Sequence, residues 1–165
     1  MKVIFETKRL IIREFEMADY QFVIELLNSP SWLRFIGDRE IYQQQAAEQY
    51  IEKLRAAYHE FGYGFYLVEL KSNQIPIGMC GLIKRENLAL PDIGFAFLPP
   101  HEGFGYGLEA ASATLNYAKM NLLLDKICAI TTADNIRSIQ LLQKIGLHFQ
   151  RNIFFENEEL MLFEN

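Results

Sequence analysis

Between Pro99-Pro100 and the apolar positions that begin at Leu108, the chain reads H-E-G-F-G-Y-G, and no other segment constrains the fold as tightly. The two prolines end the extended stretch Asp92 to Leu98 (D-I-G-F-A-F-L), since neither has an amide hydrogen to continue a ladder. Beyond the glycines, Leu108, Ala111, Leu115 and Ala118 recur at helical spacing to about Met120. Gly103, Gly105 and Gly107 therefore sit in a strand–loop–helix joint. Glycine accepts left-handed backbone and the close approach of a ligand. The first amides of the helix lack internal partners. Together with the helix dipole they make a pocket for an anion, above all a phosphate. The same residues also suit a tight turn that binds nothing.

Around this joint the chain alternates regular elements without repeats, low-complexity stretches or linkers. Arg9 to Phe15 (R-L-I-I-R-E-F) reads as a first strand. Asp19 to Asn28 carries Phe22, Leu26 and Leu27 at helical spacing and is stopped by Ser29-Pro30. Gln43 to Glu60 is a longer helix with Ala47, Tyr50, Ile51, Leu54 and Tyr58 on one face. Phe65 to Leu70 and Ile77 to Lys84 are strands joined by a turn at Lys71 to Gln74. Lys126 to Thr132 is a buried strand, and Asp134 or Asn135 caps a helix that Gly146 stops. Two short strands, near Phe149 and at Glu159 to Phe163, finish the chain. The order β-α-α-β-β-β-α-β-α-β-β predicts an α+β fold (α/β in the broad sense). Its mixed, mostly antiparallel sheet is flanked by helices and has one β-α-β crossover.

The 165 residues suit a single domain, 1–165, and 50% apolar content with 22% charged residues supplies a core. Sixteen basic against twenty-one acidic residues leave a net charge of −5, which disfavours nucleic acid and anionic membrane surfaces as partners. No apolar run approaches the roughly 18 residues of a membrane span, and Met1 to Ile4 lacks an apolar stretch followed by a small-residue cleavage site, so no leader peptide is expected. Cys80 and Cys128 lie far apart inside apolar stretches and read as buried thiols of a reducing compartment, so a cytoplasmic location is expected. The three histidines lack ligand spacing, and no metal is expected.

Three kinds of phosphate site compete for the glycine loop. A nucleotide P-loop requires Gly-Lys-Ser/Thr, and no lysine is present. Gly105, Gly107 and Ala110 satisfy the dinucleotide pattern G-x-G-x-x-A, but too little chain follows for a doubly wound sheet. The third is the diphosphate of coenzyme A. The loop resembles the Q/R-x-x-G-x-G/A motif of the GNAT superfamily of N-acetyltransferases through Gly105 and Gly107, with Glu102 where that family has Gln or Arg. Further segments resemble the branch containing ribosomal-protein alanine N-acetyltransferases. These are T-K-R-L-I-I-R-E-F at Thr7 to Phe15, I-P-I-G-M-C-G-L at Ile75 to Leu82, D-I-G-F at Asp92 to Phe95 and N-I-R-S-I-Q-L-L-Q-K-I-G-L at Asn135 to Leu147. Together they cover nearly the whole chain.

The resemblance implies the GNAT acyl-CoA N-acyltransferase fold, with acetyl-CoA as cosubstrate and an amine as acceptor. It implies that the strand before the loop splays from its neighbour. The pantetheine arm would lie along Phe95, Phe97 and Leu98, and the diphosphate on Gly103, Phe104, Gly105, Tyr106 and Gly107. Asn135 and Ser138 would be near the thiol end. Many relatives place a Tyr general acid where this chain has Leu142, which leaves Ser138 to protonate or hydrogen-bond the departing thiolate; packing of a small residue is the alternative. Asp92 matches the strand Glu that acts as base in some relatives, one methylene shorter; the alternative is a solvated strand-edge carboxylate. Glu69 is a second candidate base. Glu102 should repel a diphosphate unless it turns to solvent, so Glu102→Gln is expected to tighten acetyl-CoA binding. Phe104 stands where Lys or Arg is common. Acceptor loops are expected around Trp32 to Asp38 and Glu86 to Pro91; Ser31 to Gly37 is apolar and reads as a loop that either lines a pocket or covers the core. A homodimer is compatible with the aromatic content. A non-catalytic acyl-CoA sensor and a nicotinamide enzyme are the competing functions.

Overall fold

A computed structural model of the chain describes residues 1–155 and 157–165. Eight strands form one sheet: β1 (Val3–Glu6), β2 (Leu10–Arg13), β3 (Phe65–Leu70), β4 (Pro76–Ile83), β5 (Asp92–Phe97), β6 (Cys128–Thr131), β7 (His148–Phe155) and β8 (Glu158–Glu164). Their spatial order is β1-β2-β3-β4-β5-β6-β8-β7. Every neighbouring pair is antiparallel except β5–β6, which the crossover makes parallel. The sheet is thus mixed and mostly antiparallel, as its sequence pattern predicts.

Five α-helices cover it: α1 (Tyr20–Leu27), α2 (Pro30–Phe35), α3 (Gln44–Phe61), α4 (Tyr106–Asn121) and α5 (Ile136–Lys144). The first three close a core on one face, with Phe15, Phe22, Leu26, Trp32, Ile51 and Met79 buried in it. The last two close the other face over Ile12, Val68, Ile93, Phe97 and Leu142. A smaller cluster of Leu88, Cys128, Phe155 and Leu162 lies beneath β6 and the terminal hairpin. Burying this much apolar area is the main force holding the layers together.

Three local expectations change. The N-terminal strand is a hairpin: Val3–Glu6 pairs with β2, with Val3 opposite Arg13 and Glu6 opposite Ile11. Its partly exposed edge gives little apolar alternation to read. The segment Ser31 to Gly37 is no loop over most of its length, because Pro30 at the first turn presets a helical φ and starts α2. The terminal strands are longer than expected, β7 running eight residues, because cross-strand pairing sustains polar, exposed positions that show no hydrophobic period.

A buried ion network sits on the α1 side of the sheet. Arg13 bonds Glu69 (Nε to Oε1, 2.8 Å) and forks onto both oxygens of Asp19 (2.8 Å each). Burial disfavours the charge on Arg13, but the two carboxylates outweigh it and raise its pKa.

Candidate active site

β5 is hydrogen-bonded very differently along its two edges. Against β4 it is registered over its whole length, from Ile83 opposite Asp92 to Gly78 opposite Phe97. Against β6 it has one pair, Asp92 opposite Cys128, tied by the Cys128 amide to the Pro91 carbonyl at 2.9 Å. Beyond that point the two parallel strands part. The consequence is visible in burial: Gly94, Phe95 and Ala96 are half-exposed although β5 is fifth of eight strands. A central strand normally has neither free edge nor open surface. The fork therefore offers the main-chain groups of Phe95 and Phe97 to an extended ligand carrying amides. Leu98, expected to share this role, instead has its amide on the Ile77 carbonyl and its carbonyl accepting from the His101 amide, both at 2.9 Å.

The glycine loop stands at the mouth of this fork. Gly103 and Gly105 have φ of +82° and +80°, a left-handed conformation in which a side chain would be strained. Gly105 is the N-cap of α4, and its carbonyl accepts the first helical bond, from Glu109 at 3.0 Å. The Tyr106, Gly107 and Leu108 amides lie inside that first turn without intrahelical acceptors. At Gly107 a β-carbon would lie 3.1 Å from Leu141 Cδ1 and 3.5 Å from Phe97 Cε2, so the helix start is packed closely onto α5 and β5.

Arg9, outside the loop, buttresses it. Its Nε donates to Glu109 Oε2 (2.7 Å), its Nη1 to the Phe104 carbonyl (3.0 Å), and its guanidinium lies 4.5 Å from the Tyr106 ring centre. The Thr7 hydroxyl and the Arg9 amide both donate to Glu109 Oε1, at 2.6 and 2.9 Å. Burial works to raise the Glu109 pKa, but these bonds outweigh it and hold it below its usual value. The sequence motif containing Arg9 reads only as a strand; its second function depends on contact with a residue 100 positions away.

Asp92 occupies the apex. It is not a solvated edge carboxylate: it is 2% exposed, and Arg85 Nε donates to it at 2.6 Å. Burial pushes its pKa up to about 6, with Arg85 and the Ile130 amide pulling the other way. Ile93 packs into the α4–α5 core, so by strand alternation Asp92 faces the opposite side, toward the α1–α3 layer. Arg85 itself lies 5.4 Å from the Phe155 ring centre. Arg85 showed no signal in the sequence beyond sitting next to Lys84.

Asn135 and Ser138 come together at the start of α5, on the other face. The Asn135 side chain caps the helix by accepting the Ser138 amide at 3.2 Å, and both residues are half-buried. Leu142, one turn on, is fully packed. Glu69 is engaged by Arg13 two strands from the fork, which separates it from Asp92. Glu102 neither turns freely to solvent nor points at the loop unpaired: Arg137 of α5 donates to it at 2.6 Å. Phe104 is exposed and stacks on Tyr106. Both cysteines are buried, and burial pushes each thiol up to about 12. Among the described residues, no group of His, Cys, Asp or Glu could hold a metal, and no helix is long and apolar enough to cross a membrane.

A parallel pair that opens after one rung, with a glycine-rich helix start at its mouth, is not the doubly wound sheet of a nicotinamide enzyme. The comparisons agree. The profile of the acetyltransferase (GNAT) domain matches residues 9–148. The uncharacterized N-acetyltransferase YnaD of Bacillus subtilis is 31% identical over 150 residues, covering 91% of this chain and 84% of that one. The fold matches RimL, a ribosomal L7/L12 α-N-protein acetyltransferase solved with coenzyme A, with a TM-score of 0.85 at 12% identity, covering 99% and 97% of the two chains. It also matches spermidine N-acetyltransferase from Vibrio cholerae, solved with coenzyme A and spermine, with a TM-score of 0.80 at 18% identity and 96% coverage of each. The chain belongs to the GNAT family of acetyltransferases.

Proposed function

We propose that this protein transfers the acetyl group of acetyl-CoA to a primary amine by direct attack within a ternary complex. The observation that carries the reading is the fork: a central strand with one edge fully laddered and the other open from Ile93 onward. The pantetheine arm has amides that would complete that edge along Phe95 and Phe97. The diphosphate would sit on the amides from Gly103 to Gly107, where dipole and free N–H groups favour an anion. An amide of the free β5 edge would hold the oxyanion as the carbonyl becomes tetrahedral.

In this reading the acceptor enters from the α1–α3 side, where Asp92 faces the fork. Ionised Asp92 takes a proton from the ammonium form of the acceptor, through a water because its side chain is short. The neutral amine then forms the N–C bond to the thioester carbonyl, and the C–S bond breaks as the tetrahedral intermediate collapses. Ser138, on the α5 side, hydrogen-bonds the departing sulfur. A thiol leaving group with a pKa near 8.5 needs little more than that. Neither cysteine suits a covalent acetyl intermediate, since both thiols are buried and held protonated. Proton demand also bears on the acceptor. Neutralising a lysine-like amine at pH 7 costs about 4.6 kcal/mol, against about 1.4 for a peptide α-amine near pKa 8. A single short carboxylate fits the second task better, which favours a peptide N-terminus over a polyamine.

The test is coenzyme A release over a panel of peptides, polyamines and amino acids, followed by two-substrate kinetics. Intersecting double-reciprocal lines support direct transfer, whereas parallel lines would reject it. Binding of acetyl-CoA without release for any amine would point to the sensor reading.

A further inference from the structure

The loop that should attract a diphosphate contains no cation of its own and carries a carboxylate, Glu102, at its first position. Glu102 follows β5 and Arg137 follows β6, so both lie past the C-terminal ends of the two strands that part at the fork. Their 2.6 Å contact therefore joins the two sides of the mouth. Glu102 has only 29% of its side chain exposed, whereas Arg137 has 81% exposed and needs no fold contact to explain it. Among the described residues, the other guanidinium bonded to the loop, that of Arg9, is already held by Glu109 and the Phe104 carbonyl.

We propose that Arg137 is the positioning and charge-neutralising residue that lets a loop beginning with glutamate accept the diphosphate of acetyl-CoA. It draws the Glu102 carboxylate away from the loop amides, cancels its charge, and keeps further N–H donors at the mouth. The proposal rests on the acetyl-CoA reading above. It makes the two residues a unit: removing Arg137 is harmful chiefly because Glu102 is then left uncompensated beside an anion. A cation at this point acts mainly through charge, so a lysine should substitute in part.

Calorimetric titration of the full chain with acetyl-CoA tests it, with melting curves of each variant to confirm folding. Arg137→Ala is expected to weaken binding about tenfold, a change of about 1.4 kcal/mol. R137K should recover most of that loss, and adding E102Q to R137A should return affinity to within about threefold of the unmutated chain. E102Q alone should bind at least as tightly as the unmutated protein. Equal loss from R137A with and without E102Q, or no loss at all, would overturn the proposal while leaving the acetyl-CoA reading intact. Failure of the unmutated protein to bind acetyl-CoA would instead remove the reading on which both depend.

Discussion

β4–β5 and β5–β6 share a strand yet behave as opposite kinds of structure. Along β4 the pairing is continuous and so tight that glycine is required: a β-carbon on Gly78 would lie 2.5 Å from the Ala96 carbonyl oxygen and 2.5 Å from Phe97 Cδ1. Along β6 the pairing stops at Asp92 and Cys128, and the strand beyond is half-exposed. One edge contributes stability and the other leaves binding capacity unused by the fold. Under the proposed function this contrast would let the sheet hold a reactive arm rigidly, by withholding one ladder while anchoring the same strand by the other.

The strongest way to break this contrast is at its apex. Asp92→Asn should lower kcat/KM by about 10²- to 10³-fold, the range of a lost general base. It should also erase an acidic limb near pH 6 in the pH profile. An unchanged profile would remove Asp92 from proton transfer. Next comes the laddered edge, where Gly78→Ala should cost about 2–3 kcal/mol in denaturant unfolding through overpacking against the Ala96 carbonyl. A comparable substitution facing the open edge should cost far less, and an equal cost would mean that this edge is packed as tightly as the laddered one.

Asp92 gives a third test through stability. Its pKa is raised by folding, from the ordinary 3.8 to about 6, so its ionised form opposes folding above pH 6. Stability should therefore rise as pH falls through 6 toward 4, where the native state binds the extra proton. Between pH 7 and pH 4 the unmutated protein should gain about 2 kcal/mol relative to Asp92→Asn, since the other carboxylates are common to both. A constant difference across that range would mean that Arg85 fully offsets burial. The smallest effect is expected at the mouth. Gly105→Ala, at φ +80°, should cost about 1–2 kcal/mol of stability. It should weaken acetyl-CoA binding as well, because the left-handed N-cap sets the direction of the first amides of α4.

Most elements were readable because their signals are local. Pro99-Pro100 stops β5, Gly105 starts α4, Asn135 caps α5 and Gly146 follows its end, each through backbone geometry acting within a few residues. β1 and the full length of β7 were not readable, since polar or exposed edge strands carry no burial period and exist by virtue of their partners. In the same way Pro30 marked the end of α1 correctly, but its second meaning, the start of α2, needed Trp32 to find a core.

The sequence by itself determined the order of elements from β2 onward apart from α2, the glycine joint before α4 and the family pattern, because propensity, capping and turn chemistry act between near neighbours. Only the tertiary structure decided that β5 parts from β6 after one rung, that Arg85 buries Asp92 in a pair, that Arg9 reaches Glu109 and that Arg137 meets Glu102. Charge pairing across such separations depends on where the chain returns. That return is set by how the two cores close over the sheet, a condition no single segment carries.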